Sequence, residues 1–170
     1  MIYTIDKPLW KRQFSVLAHD AKTPRLVRLR PSAADKTPLL SLHAGPDTRS
    51  PVLATTYIPF LSREFYFSVG GGRWESMESA FGPGPRHRWS WHRASFVWKR
   101  TRSVAVEGMT ISALSQGNWK LVDARGDVLA VFTNERRCGR CGRLQIRVDY
   151  GSDFDDMVLM TLLTVYWSGG

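Results

Sequence analysis

Apolar and polar residues alternate with period two along most of the chain. Phe14, Val16 and Ala18 share one parity, and Val27 and Leu29 alternate with Arg28 and Arg30. The pattern returns at Leu40, Leu42 and Ala44, at Phe65, Phe67 and Val69, and at Trp89 and Trp91. It continues through Val104 and Val106, then Met109, Ile111 and Ala113, and ends with Leu144, Ile146 and Val148. Trp119 and Leu121 are placed to pair with Val128, Ala130 and Phe132 across a turn at Asp123–Asp127. Such alternation gives each strand one wet face and one buried face. Turn residues (Pro24, Pro31, Gly45-Pro46, Gly70 to Gly72, Gly82 to Pro85, Gly117-Asn118) separate the runs. Together they predict a large antiparallel sheet of roughly ten to twelve strands.

The C-terminal stretch breaks this rhythm. From Met157 to Trp167 only Thr161 and Thr164 interrupt an apolar run, and no charge appears on any side. A helix that is apolar all round must be enclosed, and this one falls well short of the roughly 20 residues a bilayer demands. Ser152 and Asp155 form a capping pattern, and Asp153, Asp155 and Asp156 sit where a helix dipole favours negative charge. The β-branched Val158, Thr161, Thr164 and Val165 leave a buried strand as the alternative; length and the acidic start favour a helix over about 153–167.

The two patterns need each other. Closing the sheet removes its exposed edges, but a barrel wider than about eight strands cannot be filled by its own side chains. The expected fold is therefore mainly β: a closed antiparallel β-barrel of about twelve strands around a central hydrophobic C-terminal α-helix, with 1–170 as one domain.

Composition agrees with a globular chain: 170 residues, 43% hydrophobic, with seven tryptophans. A net charge of +9 directs attention to anionic partners, namely acidic lipids, acidic proteins or nucleic acids. Lys7, Lys11 and Arg12 are followed by no apolar segment, so no signal peptide is expected, and no transmembrane segment is expected either. Two cysteines without a secretory signal point to free thiols in a reducing, cytoplasmic setting, with peripheral membrane association open.

The charge concentrates in one tract. Between Phe81 and Val106 there is no acidic residue, while Arg86, Arg88, Arg93, Lys99, Arg100 and Arg102 occur with His87 and His92 among Trp89, Trp91, Phe96 and Trp98. On strands, the outward positions would form a cationic stripe able to take lipid phosphates, with arginine best suited to bidentate contact. The plain alternative is a solvated outer face with the tryptophans pointing inward.

Other motifs carry less. Cys138 and Cys141 have C-x-x-C spacing, which suits two corners of a zinc tetrahedron, but no second ligand pair exists. The flanking Arg136, Arg137, Arg140 and Arg143 could depress the thiol pKa values and make the pair redox-active or dimer-bridging. A glycine-rich hairpin turn is the simplest reading. Arg125-Gly126-Asp127 reads as a hairpin turn. Asp153, Asp155 and Asp156 lack the glycine and distal glutamate of a calcium loop. Gly70 to Gly72 reads as a loop. No G-x-S-x-G or H-E-x-x-H occurs, and the four histidines (His19, His43, His87, His92) show no ligand spacing except the pair 87/92, which has no carboxylate near it in sequence, so neither an enzyme nor a cofactor is expected.

The runs TIDKPLWKRQFSV, PLLSLHAGPDTRSPVLATT, SFVWKRTR, NWKLVDARGDVLAVF, GRLQIR and DFDDMVLMTLLTVY resemble, in that order, the fungal tubby C-terminal-like domain proteins. The wider superfamily includes tubby, the phospholipid scramblases and the LURP-one-related proteins. The resemblance spans about Tyr3 to Trp167 and is most specific at Phe96–Arg100, at Trp119–Asp123 with Gly126, and in the terminal apolar helix. It implies a twelve-stranded barrel around a central hydrophobic helix. Tubby binds phosphoinositides through basic residues of its barrel, but no residue of that binding motif maps onto this chain. The resulting expectation is a non-enzymatic module that associates with anionic surfaces such as phosphoinositide-containing membranes. The alternative is a protein-interaction or regulatory module without a lipid role.

Overall fold

The computed structural model describes residues 1–8, 11–30, 39–57, 64–80, 84–111, 117–137 and 139–168, without the side chains of 136–137. Twelve strands run in chain order: β1 (Ile2–Asp6), β2 (Gln13–Ala18), β3 (Arg25–Leu29), β4 (Leu40–His43), β5 (Val52–Tyr57), β6 (Glu64–Val69), β7 (Glu75–Ala80), β8 (Arg86–Trp91), β9 (Ala94–Arg100), β10 (Trp119–Asp123), β11 (Val128–Arg137) and β12 (Arg140–Ile146). Each pairs antiparallel with its sequence neighbours, and β1 closes on β12, so the sheet is an up-and-down barrel without a free edge.

The one helix among the described residues, α1 (Ser152–Ser168), runs through the middle. Met157 to Val165 is buried without interruption, which requires wall on every side. At its N-terminal end Phe154 packs on Trp89, Trp91 and Phe96 of β8 and β9. At its C-terminal end Tyr166 meets Phe14 of β2 and Phe132 of β11 edge-on. The helix begins at Ser152, so the expected cap is itself helical; the Gly151 carbonyl accepts the Asp155 N–H at 3.2 Å.

Polar groups of the helix fix its register in the barrel. The Trp98 indole N–H donates to Thr161 Oγ1 at 2.9 Å, and the Thr161 hydroxyl donates on to the Val158 carbonyl. The Tyr3 hydroxyl donates to Asp155 Oδ2 at 3.0 Å, and Arg25 pairs with the buried Asp156. Burial pushes the Asp156 carboxyl above its usual range, and Arg25 pulls it part of the way back. The acids at the helix start thus hold two wall strands as well as facing the helix dipole.

The two ends of the barrel differ. At the helix N-terminus the strands are joined by 19–24, 44–51, 70–74, 92–93 and 124–127. In the last of these Asp123 Oδ1 accepts the N–H of Arg125 and of Asp127, both at 2.9 Å, and Gly126 takes φ +93°. At the helix C-terminus the joins include the longer 30–39 and 101–118.

The alternation read at 104–111 is not a strand. Residues 101–111 form an irregular strap over the outside of β11 and β12. The Val106 N–H donates to Thr133 Oγ1 at 2.8 Å, the Glu107 N–H to Gln145 Oε1, and Arg147 to the Ala105 carbonyl. Val106 is buried on the underside of this strap, and Val131, of outward parity on β11, is buried too, although neither belongs to the interior core. Ala113 lies outside the described residues.

Leu162→Asp would bury an unpaired carboxylate, costing several kcal/mol, and soluble expression is expected to fail. Thr161→Val keeps the shape but strands the Trp98 N–H, so chemical denaturation should register a loss of about 1–3 kcal/mol. Thr164→Val should cost less, because the Thr164 hydroxyl donates within its own helix to Met160 O at 2.8 Å and reaches the wall only through a long 3.5 Å contact with Thr56 Oγ1. Equal losses at the two threonines would disprove the assignment.

Candidate functional site

The basic tract occupies β8 and β9, and the pleat divides it. Arg86 and Arg88 point outward while His87 and Trp89 are buried; Lys99 points outward while Phe96 and Trp98 are buried. Register then decides which charges meet. Arg86 lies opposite Lys99, and Lys99 lies opposite Lys120 of β10. Directly opposed residues have Cβ atoms about 4.5–5.5 Å apart. Three cations therefore stand in one row across three adjacent strands, at the end of the barrel where α1 terminates. The row is flanked by Ala80 on β7 and Val131 on β11. None of the ion pairs among the described residues includes Arg86, Lys99 or Lys120.

Lys120 is the residue that sequence reading missed. It lies well beyond the tract, next to Trp119 in a motif that reads as a structural hairpin. Only the pairing of β9 with β10 brings it beside Lys99.

The remaining members of the tract go elsewhere. Arg88 faces Glu78 of β7, which in turn faces Glu64 of β6, so its charge has acidic neighbours along the row. Arg100 has inward parity: its guanidinium carbon lies 4.4 Å from the Trp119 ring centroid, and burial pulls its pKa below the usual value. His87 stands beside it, with Nδ1 3.0 Å from Ser79 Oγ and its ring 5.5 Å from that of Trp119. Burial first and the Arg100 charge second pull His87 down to about 4, so it is neutral at pH 7. His92 and Arg93 form the β8–β9 turn at the opposite end of the barrel, about 20 Å along the strand from Arg86. Arg102 is exposed just after β9.

At the cysteine motif, Cys138 lies outside the described residues. Cys141 is buried at the start of β12, and burial pushes its thiol up, opposite to the depression that its arginine neighbours suggested. The glycine after it has a packing reason: a Cβ on Gly142, at φ +153°, would sit 2.2 Å from the Thr133 carbonyl oxygen. No group of three or more His, Cys, Asp or Glu side chains converges among the described residues. Nor is any helix among them long and apolar enough to cross a membrane.

His87 makes folding sensitive to acid. Its folded pKa is depressed from 6.5 to about 4, so the unfolded chain takes the proton first as pH falls. Stability should drop between pH 6.5 and 4 by roughly 2–3 kcal/mol from this residue. Urea midpoints measured across that range should flatten in His87→Gln; an unchanged slope would place the titration elsewhere.

Comparison with known proteins adds no relatives: no protein-family model, no curated protein and no solved structure matches the chain.

Proposed function

We propose that this chain is a tubby-like barrel serving as a non-enzymatic module that docks on polyanionic surfaces, phosphoinositide-containing membranes foremost, through the Arg86–Lys99–Lys120 row. The observation that carries the reading is the alignment of three cations across three strands with no acidic partner among the described residues. Neighbouring strands lie about 4.8 Å apart, so the row spans about 10 Å. That breadth suits one multiply phosphorylated headgroup. A nucleic acid, with a charge every ~1.7 Å of duplex axis, would call for a longer track. Each cation contributes about 1 kcal/mol at an anionic surface, so the row alone gives weak, salt-sensitive, reversible attachment. The closed twelve-strand meander around an apolar helix supports the tubby likeness, and the outward charge supports the role.

Co-sedimentation with vesicles tests it. Binding should be measurable but weak with phosphoinositide in the vesicle, absent with neutral lipid, and should fall with salt. Lys99→Ala and Lys120→Ala should each weaken binding about fivefold, and the Lys99→Glu/Lys120→Glu pair should abolish it. Arg88→Ala, opposite Glu78, should change little. Equal binding to neutral and anionic vesicles, or full binding by the double glutamate variant, refutes the lipid role and leaves a protein partner as the reading.

A further inference from the structure

The opposite end of the barrel carries a concavity that shares no residue with the cationic row. A cleft of about 390 Å³ opens between the β6–β7 connection, the β8–β9 turn and the first turn of α1. Its apolar wall includes Trp91 and Met157, and its charged lining is Arg73, Glu75, Arg93 and Asp153, beside His92. Trp91 is half-buried, with its ring 5.4 Å from Phe154, and Met157 is buried in the core, so the wall is rigid.

Of the four charged residues, Arg73, Arg93 and Asp153 are exposed and Glu75 is half-buried, so their charged ends are open to a ligand. Here none of the ion pairs among the described residues joins them. The turn that carries Arg93 is also held in a costly shape. His92 and Arg93 have φ +46° and +66°, left-handed conformations that two-residue hairpins normally assign to asparagine or glycine. The turn places the Arg93 side chain at the rim, where glycine would leave nothing.

From the unpaired charges of both signs around an apolar floor we infer that this cleft binds a small zwitterion, with its anionic group at Arg73 and Arg93 and its ammonium at Glu75 and Asp153. The charge balance selects this class. A simple anion entering the cleft meets two carboxylates, and a simple cation meets two guanidinium groups. A molecule carrying both signs finds a partner for each of its groups. Guanidinium forks donate paired hydrogen bonds to carboxylate and to phosphate alike, and an ammonium gains further attraction over an indole face. The volume lies at the low end for ligand sites and fits a single small molecule. An amino acid and a phosphoethanolamine headgroup share this chemistry.

Isothermal titration separates these sources and the inference from its rivals. Leucine and glycerophosphoethanolamine are titrated into the intact protein beside inorganic phosphate, acetate and ethylamine. Saturable one-site binding of either zwitterion, about tenfold or more tighter than any of the one-signed ions, supports the site and identifies the source. Arg93→Gly relaxes the left-handed turn, so its melting temperature should rise while zwitterion affinity falls about tenfold. Glu75→Gln should lose the preference for zwitterion over phosphate. No saturable heat at millimolar ligand, phosphate binding as tightly as the zwitterions, or full affinity in Arg93→Gly would each overturn the inference. The cationic row is untouched by these variants, so vesicle binding and zwitterion binding can fail separately.

Discussion

The interior of a twelve-strand barrel is the constraint that the rest of this structure answers. Side chains from the wall fill a barrel of about eight strands; beyond that they leave a hole. An empty apolar hole forfeits dispersion contacts along its whole lining, and water inside it would face an apolar wall. The solution is a rod with no polar side, from Met157 to Val165. The same need explains why α1 is not amphipathic in the way of a surface helix, since every direction from its axis is core. At about 1.5 Å per residue it is about 25 Å long, enough to run from the Tyr3 level of the wall to the Phe14 level.

A smooth greasy rod in a smooth greasy sleeve would rotate and slide. Directional bonds prevent this at several heights: Asp155 to Tyr3 and Asp156 to Arg25 near the start, and Thr161 to Trp98 further along. Each joins the helix to a different strand, so together they define both rotation and depth. Their net contribution to stability is modest, because each polar group had to be desolvated first. Their effect on uniqueness is larger, because any other register leaves a buried partner unsatisfied.

The sheet and its filling were legible in the sequence because both rest on patterning that one residue type at a time can reveal. Phe14, Val16, Leu40, Leu42, Phe65, Phe67, Leu144 and Ile146 all face inward as their parity implies. β7 was not legible: in Glu75–Ala80 the only large apolar residue is Met77, and a strand whose other inward positions are Glu75 and Ser79 shows no hydrophobic period. The segment at 104–111 misled for the opposite reason. Its apolar residues cover the outside of β11 and β12, and strap and strand bury alternate residues alike until hydrogen-bond partners are known. The basic tract was legible as composition but not as a site. Charge density along a chain ignores the pleat, which sends Arg100 inward, and ignores register, which gives Arg88 an acidic neighbour and gives Lys99 a basic one.

The order of elements along the chain bears on how the molecule assembles. All twelve walls precede the rod that they enclose, and the first strand pairs with the last. Until α1 docks, the inward tryptophans and phenylalanines have nothing to lie against, and the unpaired rims of β1 and β12 remain open to strands from other chains. Closure joins residues more than a hundred positions apart, a contact order that slows folding. An element order of this kind puts the helix last to be synthesised and the barrel's closing pair furthest apart in the chain, the arrangement in which aggregation competes most with folding.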